Sequence, residues 1–568
     1  MLHDLYTPQG AALTGTAWTV YPRPQLKRDS YVNLNGDWNF AVSESKDFPE
    51  SYPMTIKVPF CPESLLSGLK MEVKPGSYLF YDREVELPEN FKKDRVLLHI
   101  GAADQITDVY VNRRHIATHV GGYHSFTVDI TDALAVQNRL TIRVFDDLRD
   151  HTLPYGKQSL TRGGMWYTPV SGIWQTVWLE SVPRQYIQTL DIQVSETCAT
   201  VTVEPALDGT VHFDGKQIPL KGGIAVLQPE NPHLWSPEDP YLYEFSVETG
   251  EDRVKSYFAL RTVQTKVVDG VPRLCLNGKP YFFHGLLDQG YYSDGLYTPA
   301  TPENYEQDIL SMKRLGFNTL RKHIKVEPEH YYYLCDKLGM VVFQDMINNS
   351  DYSYLRDTVL PTFGLQRRSD KNLHKDPASR QAFYDAMEQT VRQLKNHPCI
   401  VYWTIFNEGW GQFCSQEAYE RLKKLDSSRI IGSISGWFKG ADSDVKSHHL
   451  YYTWVTKWSW LKTADKPLVL TEFGGYSHGV PGHMFNDEKV YGYKICRTPA
   501  QLEADLQALY RERIIPLARN GLCAAIYTEV SDVEDEVNGL LTYDRQVCKV
   551  APEAMLPIRD ELYEAIKG

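Results

Sequence analysis

No stretch of this 568-residue chain approaches the roughly 18 consecutive apolar residues that a membrane-spanning helix needs, so no membrane partner is expected. Charge of one sign is not concentrated either. The 60 Lys and Arg stand against 72 Asp and Glu, a formal net charge of −12, spread without acidic or basic blocks. That balance is a poor match for nucleic acid or an anionic surface. Cysteine is sparse and unpatterned: nine residues, an odd and scattered set with no CxxC pair, read as free thiols of a reducing compartment. The N-terminal MLHDLYTPQGAALTG has no basic segment followed by an apolar one, and a cytoplasmic location is expected. There is no GxGxxG and no P-loop to mark a nucleotide crevice, and no short repeat or low-complexity segment.

What the chain does have is rings and strands. Aromatic residues make up 12%, with 12 Trp and 36 Tyr, a surplus suited to stacking on the apolar faces of a neutral polar ligand. From about Tyr31 to Val182, short runs such as RVLLHIG, HSFTVDI and RLTIRVF alternate apolar and polar residues. Period-two alternation predicts antiparallel sheets packed as a sandwich. A shorter stretch, with TVTVEPAL, GTVHFDG and YLYEFSVE, repeats the pattern at the size of an immunoglobulin-like sandwich. After about Thr265, apolar strands alternate with segments of helical period. Thr301-Pro302-Glu303-Asn304 carries a helix-start signature, and Gly316 a stop. Such alternation over about 300 residues predicts a (β/α)8 barrel. The expected organisation is therefore multidomain: a β sandwich over residues 1–182, an immunoglobulin-like β-sandwich over 183–264 and a TIM barrel over 265–568.

In such a barrel, polar residues at the C-terminal ends of strands face the active-site mouth. Two stand out. The run Ile400-Val-Tyr-Trp-Thr-Ile-Phe406 ends in Asn407-Glu408, and Pro467-Leu-Val-Leu-Thr471 ends in Glu472. Paired carboxylates at strand ends are what retaining glycoside hydrolysis requires, one as acid/base and one as nucleophile. A single strand-end Glu is as readily an ion-pair partner.

The chain as a whole resembles glycoside hydrolase family 2, which includes β-galactosidases and β-glucuronidases. Arg23-Pro24-Gln25-Leu26, Leu34-Asn35-Gly36-Asp37-Trp38 and Ser171-Gly172-Ile173-Trp174-Gln175 resemble the family's N-terminal jelly-roll sugar-binding domain. Phe258-Ala-Leu-Arg261 and Leu276-Asn-Gly-Lys-Pro280 are similar to its passage into the barrel. His397-Pro398 ahead of Asn407-Glu408 is similar to its acid/base signature, and Thr471-Glu472-Phe473-Gly474 to its nucleophile segment. The resemblance implies Glu408 as acid/base, Glu472 as nucleophile 64 residues later, and Asn407 as the amide that binds the sugar 2-hydroxyl. One carboxyl must hold its proton while the other stays ionised, a division that a like charge close by promotes.

Further candidate sugar contacts are Asp288, Arg321, His323, Asp345, Trp437, Tyr451, Tyr452, Trp454 and Glu529, with Trp410 as another platform. Arg321 and His323 lie in a stretch similar to the family's Asn-x-x-Arg, where the Arg supports the nucleophile. Strand alternation puts Lys322 on the other side, as a structural residue. Asp288 and Asp345 are hydroxyl acceptors or internal salt-bridge partners with equal weight. Tyr451-Tyr452-Thr453-Trp454 is similar to the glucuronidase-type Tyr-Tyr-x-Trp, in which a Tyr hydrogen-bonds the nucleophile. His448-His449 has no third ligand at recognisable spacing and reads as structural or sugar-facing, so no metal and no cofactor are expected.

The chain departs from the family pattern where substrate is chosen. Thr176 and Phe473 stand where large β-galactosidases have an acidic residue and a Tyr. The Asn-x-Lys motif that binds a sugar carboxylate has no Lys after Asn538. The acidic stretch from Asp532 to Glu536 would repel a uronate unless Arg545 or Lys549 folds inward. The first expectation is thus a retaining exo-glycosidase for a neutral β-galactoside-like sugar. An α-L-arabinoside, a β-glucuronide and a β-mannoside are the alternatives, and a non-catalytic carbohydrate-binding protein is the reading from another class. The expected partner is a carbohydrate, and the resemblance implies a homo-oligomer.

Overall fold

The computed structural model of the chain describes residues 2–360, 369–436, 441–451 and 465–567. The alternating runs near the N-terminus form two facing antiparallel sheets. One has six strands, in the order Met54–Val58, Gly36–Ser43, Ser77–Val85, Asn138–Asp146, Ile106–Val111 and Arg114–Val120. The other has four: Tyr31–Asn33, Val177–Val182, Arg95–Ile100 and Phe126–Asp129. Along Asn138–Asp146 the inward positions are Leu140, Ile142 and Val144, all buried, and Ile142 stands opposite Tyr81 on one neighbour and Val109 on the other. Burial of each such side chain stabilises the fold by about 1.5–3 kcal/mol. This is the antiparallel sandwich expected from the alternation, in the place where the resemblance implied a jelly roll.

Seven further strands form a second sandwich of three (Thr189–Val194, Ala199–Glu204, Ile224–Leu227) against four (Lys216–Leu220, Gly209–Phe213, Tyr243–Thr249, Asp252–Phe258). Val201, Val203, Val211, Phe213, Val247 and Val254 fill its interior, as in immunoglobulin-like packing. A small three-stranded sheet (Val263–Val268, Val271–Leu276 and Lys279–Pro280) leads onward to a ring of eight parallel strands. These are β1 (Phe283–Asp288), β2 (Thr319–Lys322), β3 (Val341–Asp345), β4 (Ile400–Asn407), β5 (Ile430–Ser435), β6 (Lys446–Leu450), β7 (Leu468–Gly474) and β8 (Leu522–Thr528). Seven parallel ladders run in the order β5-β4-β3-β2-β1-β8-β7-β6, and at the seam between β5 and β6 the Asp444 amide donates to the Ile431 carbonyl at 2.9 Å. Strands covered on both faces read as continuous apolar runs, which is why they were legible in the sequence. The helix α1 (Pro302–Arg314) begins where expected: the Thr301 amide donates to the Asn304 side chain at 3.0 Å, Pro302 occupies the first turn and Gly316 follows with φ +88°.

Buried cations tie the layers together. Arg28 reaches Glu180 of the first sandwich at 2.9 Å and grips both oxygens of Asp252 in the second, also at 2.9 Å. Arg261 donates to the Pro398 and Ile400 carbonyls at the foot of β4. The loop 147–171 leaves the first sandwich and crosses the barrel mouth, with the Tyr155 amide bonded to the Asn348 carbonyl at 3.1 Å. All nine cysteines are free thiols, and no described helix is long and apolar enough to cross a membrane.

Removing one partner from a buried ion network strands the others. Arg28→Ala is expected to destabilise the chain by about 3–5 kcal/mol, seen as a lower urea midpoint for the first unfolding transition. An unchanged midpoint would show that the two sandwiches are held by something else.

Candidate active site

The site is organised around Arg321, which is fully buried at the end of β2. Its Nε and Nη2 hold the two oxygens of Asp345 on β3 at 3.0 and 2.9 Å. Nη1 donates to Glu472 Oε1 at 2.8 Å and to the Thr471 carbonyl at 2.9 Å, both on β7. Nη2 also donates to Asn407 Oδ1 at 2.9 Å and Ser435 Oγ at 3.2 Å, on β4 and β5. One guanidinium thereby fixes side chains from four other strands, using the planar fork that Lys lacks.

Glu472 sits where the β7 register slips against β8, between Leu470 and Phe473, and such an irregularity re-aims a side chain toward the mouth. Its second oxygen accepts from the Tyr451 hydroxyl at 2.5 Å, and that hydroxyl also contacts Thr528 Oγ1 at 3.0 Å. Burial on its own would push the Glu472 carboxyl up. His449, Arg321 and His323 around it, with the Tyr451 hydrogen bond, instead bring its pKa down to about 2. Burial and the Glu472 charge hold the Tyr451 hydroxyl protonated, as a donor must be.

Glu408 follows β4 in the left-handed backbone region, φ +52°, a conformation that a non-glycine residue adopts at some cost in strain. Its amide donates to the Ser435 carbonyl at 3.0 Å, and its side chain is 15% exposed while that of Glu472 is 6% exposed. His449 lies between them, with Nδ1 2.7 Å from Glu408 Oε1 and 3.3 Å from Glu472 Oε2. One donor or acceptor atom from each of the three lies within 4.8 Å of the others. The same three residues are the described set able to ligate a cation; His449 finds these companions on other strands, where linear spacing does not reveal them.

The remaining sequence candidates separate into two groups. Asn407 and His323 each keep one polar group uncommitted: Asn407 Oδ1 is occupied by Arg321 and Ser435, which leaves its amino group, and His323 Nδ1 is bound to Asp345 at 2.7 Å, which leaves Nε2. Burial depresses the His323 pKa to about 4, so its ring is neutral at physiological pH. Asp345 and Asp288 are instead internal ion-pair partners. Asp345 is 1% exposed and serves Arg321 and His323, and Asp288 pairs with Lys322 at 2.7 Å. Lys322 is buried against Asp288 and Glu327, in the structural place that strand alternation assigned to it. Glu529, just past β8, is fully buried, and neither carboxylate oxygen has a hydrogen-bond partner among the described residues. Burial and Glu536 push it well above the ordinary carboxyl range. Trp410 packs against Trp166 and Tyr155 at 4.8 and 5.6 Å. Trp437, Tyr452 and Trp454 lie outside the described residues.

Three features escaped the sequence. Tyr493 stacks on Tyr451 at 3.8 Å and 11°, backing the hydroxyl that meets Glu472. The acidic stretch is engaged internally: Glu536 accepts from the Tyr167 hydroxyl at 2.6 Å, Glu534 from the Thr168 amide at 2.9 Å, and Asp535 from Asn486 at 2.8 Å. It clamps the loop 147–171 onto the barrel. Thr176 does not reach the mouth; its hydroxyl accepts from Asn35 at 3.2 Å within the first sandwich. The only signal for the loop's role was the glycine and aromatic content of Gly163-Gly164-Met165-Trp166-Tyr167.

Comparison with known proteins places this geometry. Residues 266–552 match the family model "Glycosyl hydrolases family 2, TIM barrel domain", and residues 187–261 match "Glycosyl hydrolases family 2". A β-glucuronidase of Felis catus is 26% identical over 567 residues, spanning 84% of this chain and 83% of that protein. Two solved structures share the fold at 19% identity. The β-D-glucuronidase of Dictyoglomus thermophilum has a TM-score of 0.72, covering 96% of this chain and 98% of its own. A β-galacturonidase from Eisenbergiella tayi, bound to galacturonate, has a TM-score of 0.68, covering 97% and 99%.

The low pKa of Glu472 depends in part on Tyr451. A required base makes kcat/KM fall as pH drops through its pKa. Tyr451→Phe removes a donor to the charged form, so the Glu472 pKa rises and the acid limb of the profile moves to higher pH. A limb that stays in place would show that the hydroxyl does not support the carboxylate.

Proposed function

The chain belongs to glycosyl hydrolases family 2, and from that premise we propose that it is a retaining glycosidase that removes terminal β-linked uronic acids, with Glu472 as nucleophile and Glu408 as acid/base. The observation that carries the mechanism is the carboxylate pair, with oxygens within 4.8 Å and with Arg321 and Tyr451 both committed to Glu472. Glu472 attacks the anomeric carbon while Glu408 gives its proton to the leaving oxygen. A glycosyl ester on Glu472 and a free alcohol result. Glu408, now ionised, takes a proton from water, which attacks the same carbon and releases the sugar with its configuration kept. The amino group of Asn407 is placed for the sugar 2-hydroxyl, where the hydrogen bond strengthens as the oxocarbenium-like transition state forms.

The choice of a uronide corrects the first expectation, a neutral β-galactoside. The relatives described above carry the names β-glucuronidase and β-galacturonidase, which favours the glucuronide alternative. The argument against a uronate also loses its force, because the acids from Asp532 to Glu536 are occupied by the loop, by Asn486 and by Lys549.

The test is a panel of aryl β-glucuronide, β-galacturonide, β-galactoside and β-glucoside, run with wild type, Glu472→Gln and Glu408→Gln. A uronide is expected to be the best substrate, its first product the β-anomer by proton NMR, and turnover is expected to fall by several orders of magnitude in the Glu472→Gln protein. Retained activity in that variant, or an α-anomer formed first, overturns the mechanism.

A further inference from the structure

A uronide needs a basic group for its carboxylate, and the cations nearest in sequence to the missing Asn-x-Lys motif are taken. Arg545 contacts Asp308 at 3.4 Å and the Tyr291 and Tyr543 carbonyls at 2.8 Å, with its guanidinium over the Tyr292 ring. Lys549 is bound to Asp532 at 2.5 Å and the Val537 carbonyl at 3.1 Å. Both fold inward, as the sequence required for a uronate, but each meets a partner already inside the protein.

A different cation is free. Lys157, in the loop 147–171 of the N-terminal sandwich, is only 9% exposed, and its Nζ has no ion pair and no hydrogen bond among the described residues; the face of Trp166 lies 5.7 Å away. A cation held in a built position at the barrel mouth, with no anion of the protein bound to it, points to a ligand.

The position is built. Gly156, just before it, has φ +66°, and a Cβ there would lie 2.6 Å from the Tyr123 hydroxyl, 3.0 Å from that of Tyr297 and 3.2 Å from the Ile324 carbonyl. The backbone is therefore pressed against the residue that follows His323. On the other side, Gln158 binds Asp104 at 2.8 Å and receives the Val170 amide at 2.7 Å, while the Lys157 carbonyl receives the Tyr167 amide at 3.1 Å. Trp166, over which the ammonium sits, packs on Trp410, two residues after Glu408.

The groups facing Lys157 share the chamber with the nucleophile. Its charge contributes to the low pKa of His323 and acts on Glu529 and Glu536, and Glu536 in turn feels the charge of Glu472. Burial pushes both Glu529 and Glu536 above the ordinary carboxyl range. Neither acid forms an ion pair or hydrogen bond with the ammonium among the described residues, so its field is left for a substrate anion.

We propose that Lys157 receives the carboxylate of the uronic acid, so that a loop of the N-terminal sandwich sets the substrate specificity of the barrel. The proposal rests on the uronide reading above. A charge-assisted hydrogen bond gives orientation as well as affinity. Loops held by a rigid frame are where such groups are carried.

The experiment compares wild type, Lys157→Met and Lys157→Arg on aryl β-uronides and their neutral counterparts, reading the ratio of kcat/KM for uronide over neutral sugar. In parallel, binding of the free uronic acid is measured by calorimetry in the Glu472→Gln background, with thermal unfolding as the check on folding. Lys157→Met is expected to lower the ratio, and the affinity for the free acid, about 10- to 100-fold, and Lys157→Arg to keep most of both. A ratio and an affinity unchanged in Lys157→Met overturn the assignment and leave the uronide reading standing. A wild type that hydrolyses neutral sugars but no uronide overturns the reading itself, before any Lys157 variant is compared.

Discussion

A positive charge placed where water cannot reach must be matched by fixed partners, and the guanidinium of Arg321 imposes that requirement on the whole barrel mouth. Its contacts on β3, β4, β5 and β7 leave little freedom for Asp345, Asn407, Ser435 or Glu472. The geometry of the site thus follows from satisfying one buried ion. The same field has a thermodynamic consequence. A carboxyl whose pKa falls from 4.5 to about 2 on folding contributes stability that is fully present above about 4.5 and lost as pH falls through about 2. Glu472 is held ionised by interactions that also help hold the barrel together.

Net charge in a sequence segment is a weak guide to the potential inside a pocket. Five consecutive positions carry Asp532, Glu534, Asp535 and Glu536 within one stretch, which on paper is a repulsive wall for an anion. In the fold each acid has an assigned donor, and the stretch works as a clamp on a loop from another domain. The jelly-roll sandwich is in this sense part of the barrel mouth, since the residues that cover it at Tyr155, Trp166 and Tyr167 are held down by barrel acids and aromatics.

What was legible in the sequence is what local rules control. The strands of the barrel were visible as apolar runs because both faces are covered, and Glu408 and Glu472 were visible as the polar residues that end two of them. Alternation along β2 separated Arg321 and His323 from Lys322, and the structure puts the first two in the mouth and the third in an internal network with Asp288 and Glu327. Where Asp288 and Asp345 stood balanced between binding and pairing, pairing prevailed, since each lies beside a buried cation that needs an anion. Long-range meetings were visible only where a family motif marked them, as for Arg321 and Tyr451 with Glu472. His449 lies 41 positions from Glu408, Tyr167 lies 369 from Glu536, and neither distance is marked by any motif.

The proposed double displacement moves negative charge from one carboxylate to the other, and a buried site must tolerate each state. When Glu472 becomes an ester it no longer balances Arg321. Asp345 still does, through two hydrogen bonds to the same guanidinium, so the covalent intermediate does not strand a buried cation. The charge that appears on Glu408 at that stage is met by His449, whose Nδ1 is 2.7 Å from it and 3.3 Å from Glu472, so one ring nitrogen is within reach of whichever oxygen is charged. Ions already in place need not reorganise during the reaction, and in a water-excluded site that preorganisation is worth more than the same contacts would be in solvent. The second carboxylate on Arg321 is therefore as much a requirement of the pathway as the nucleophile it supports.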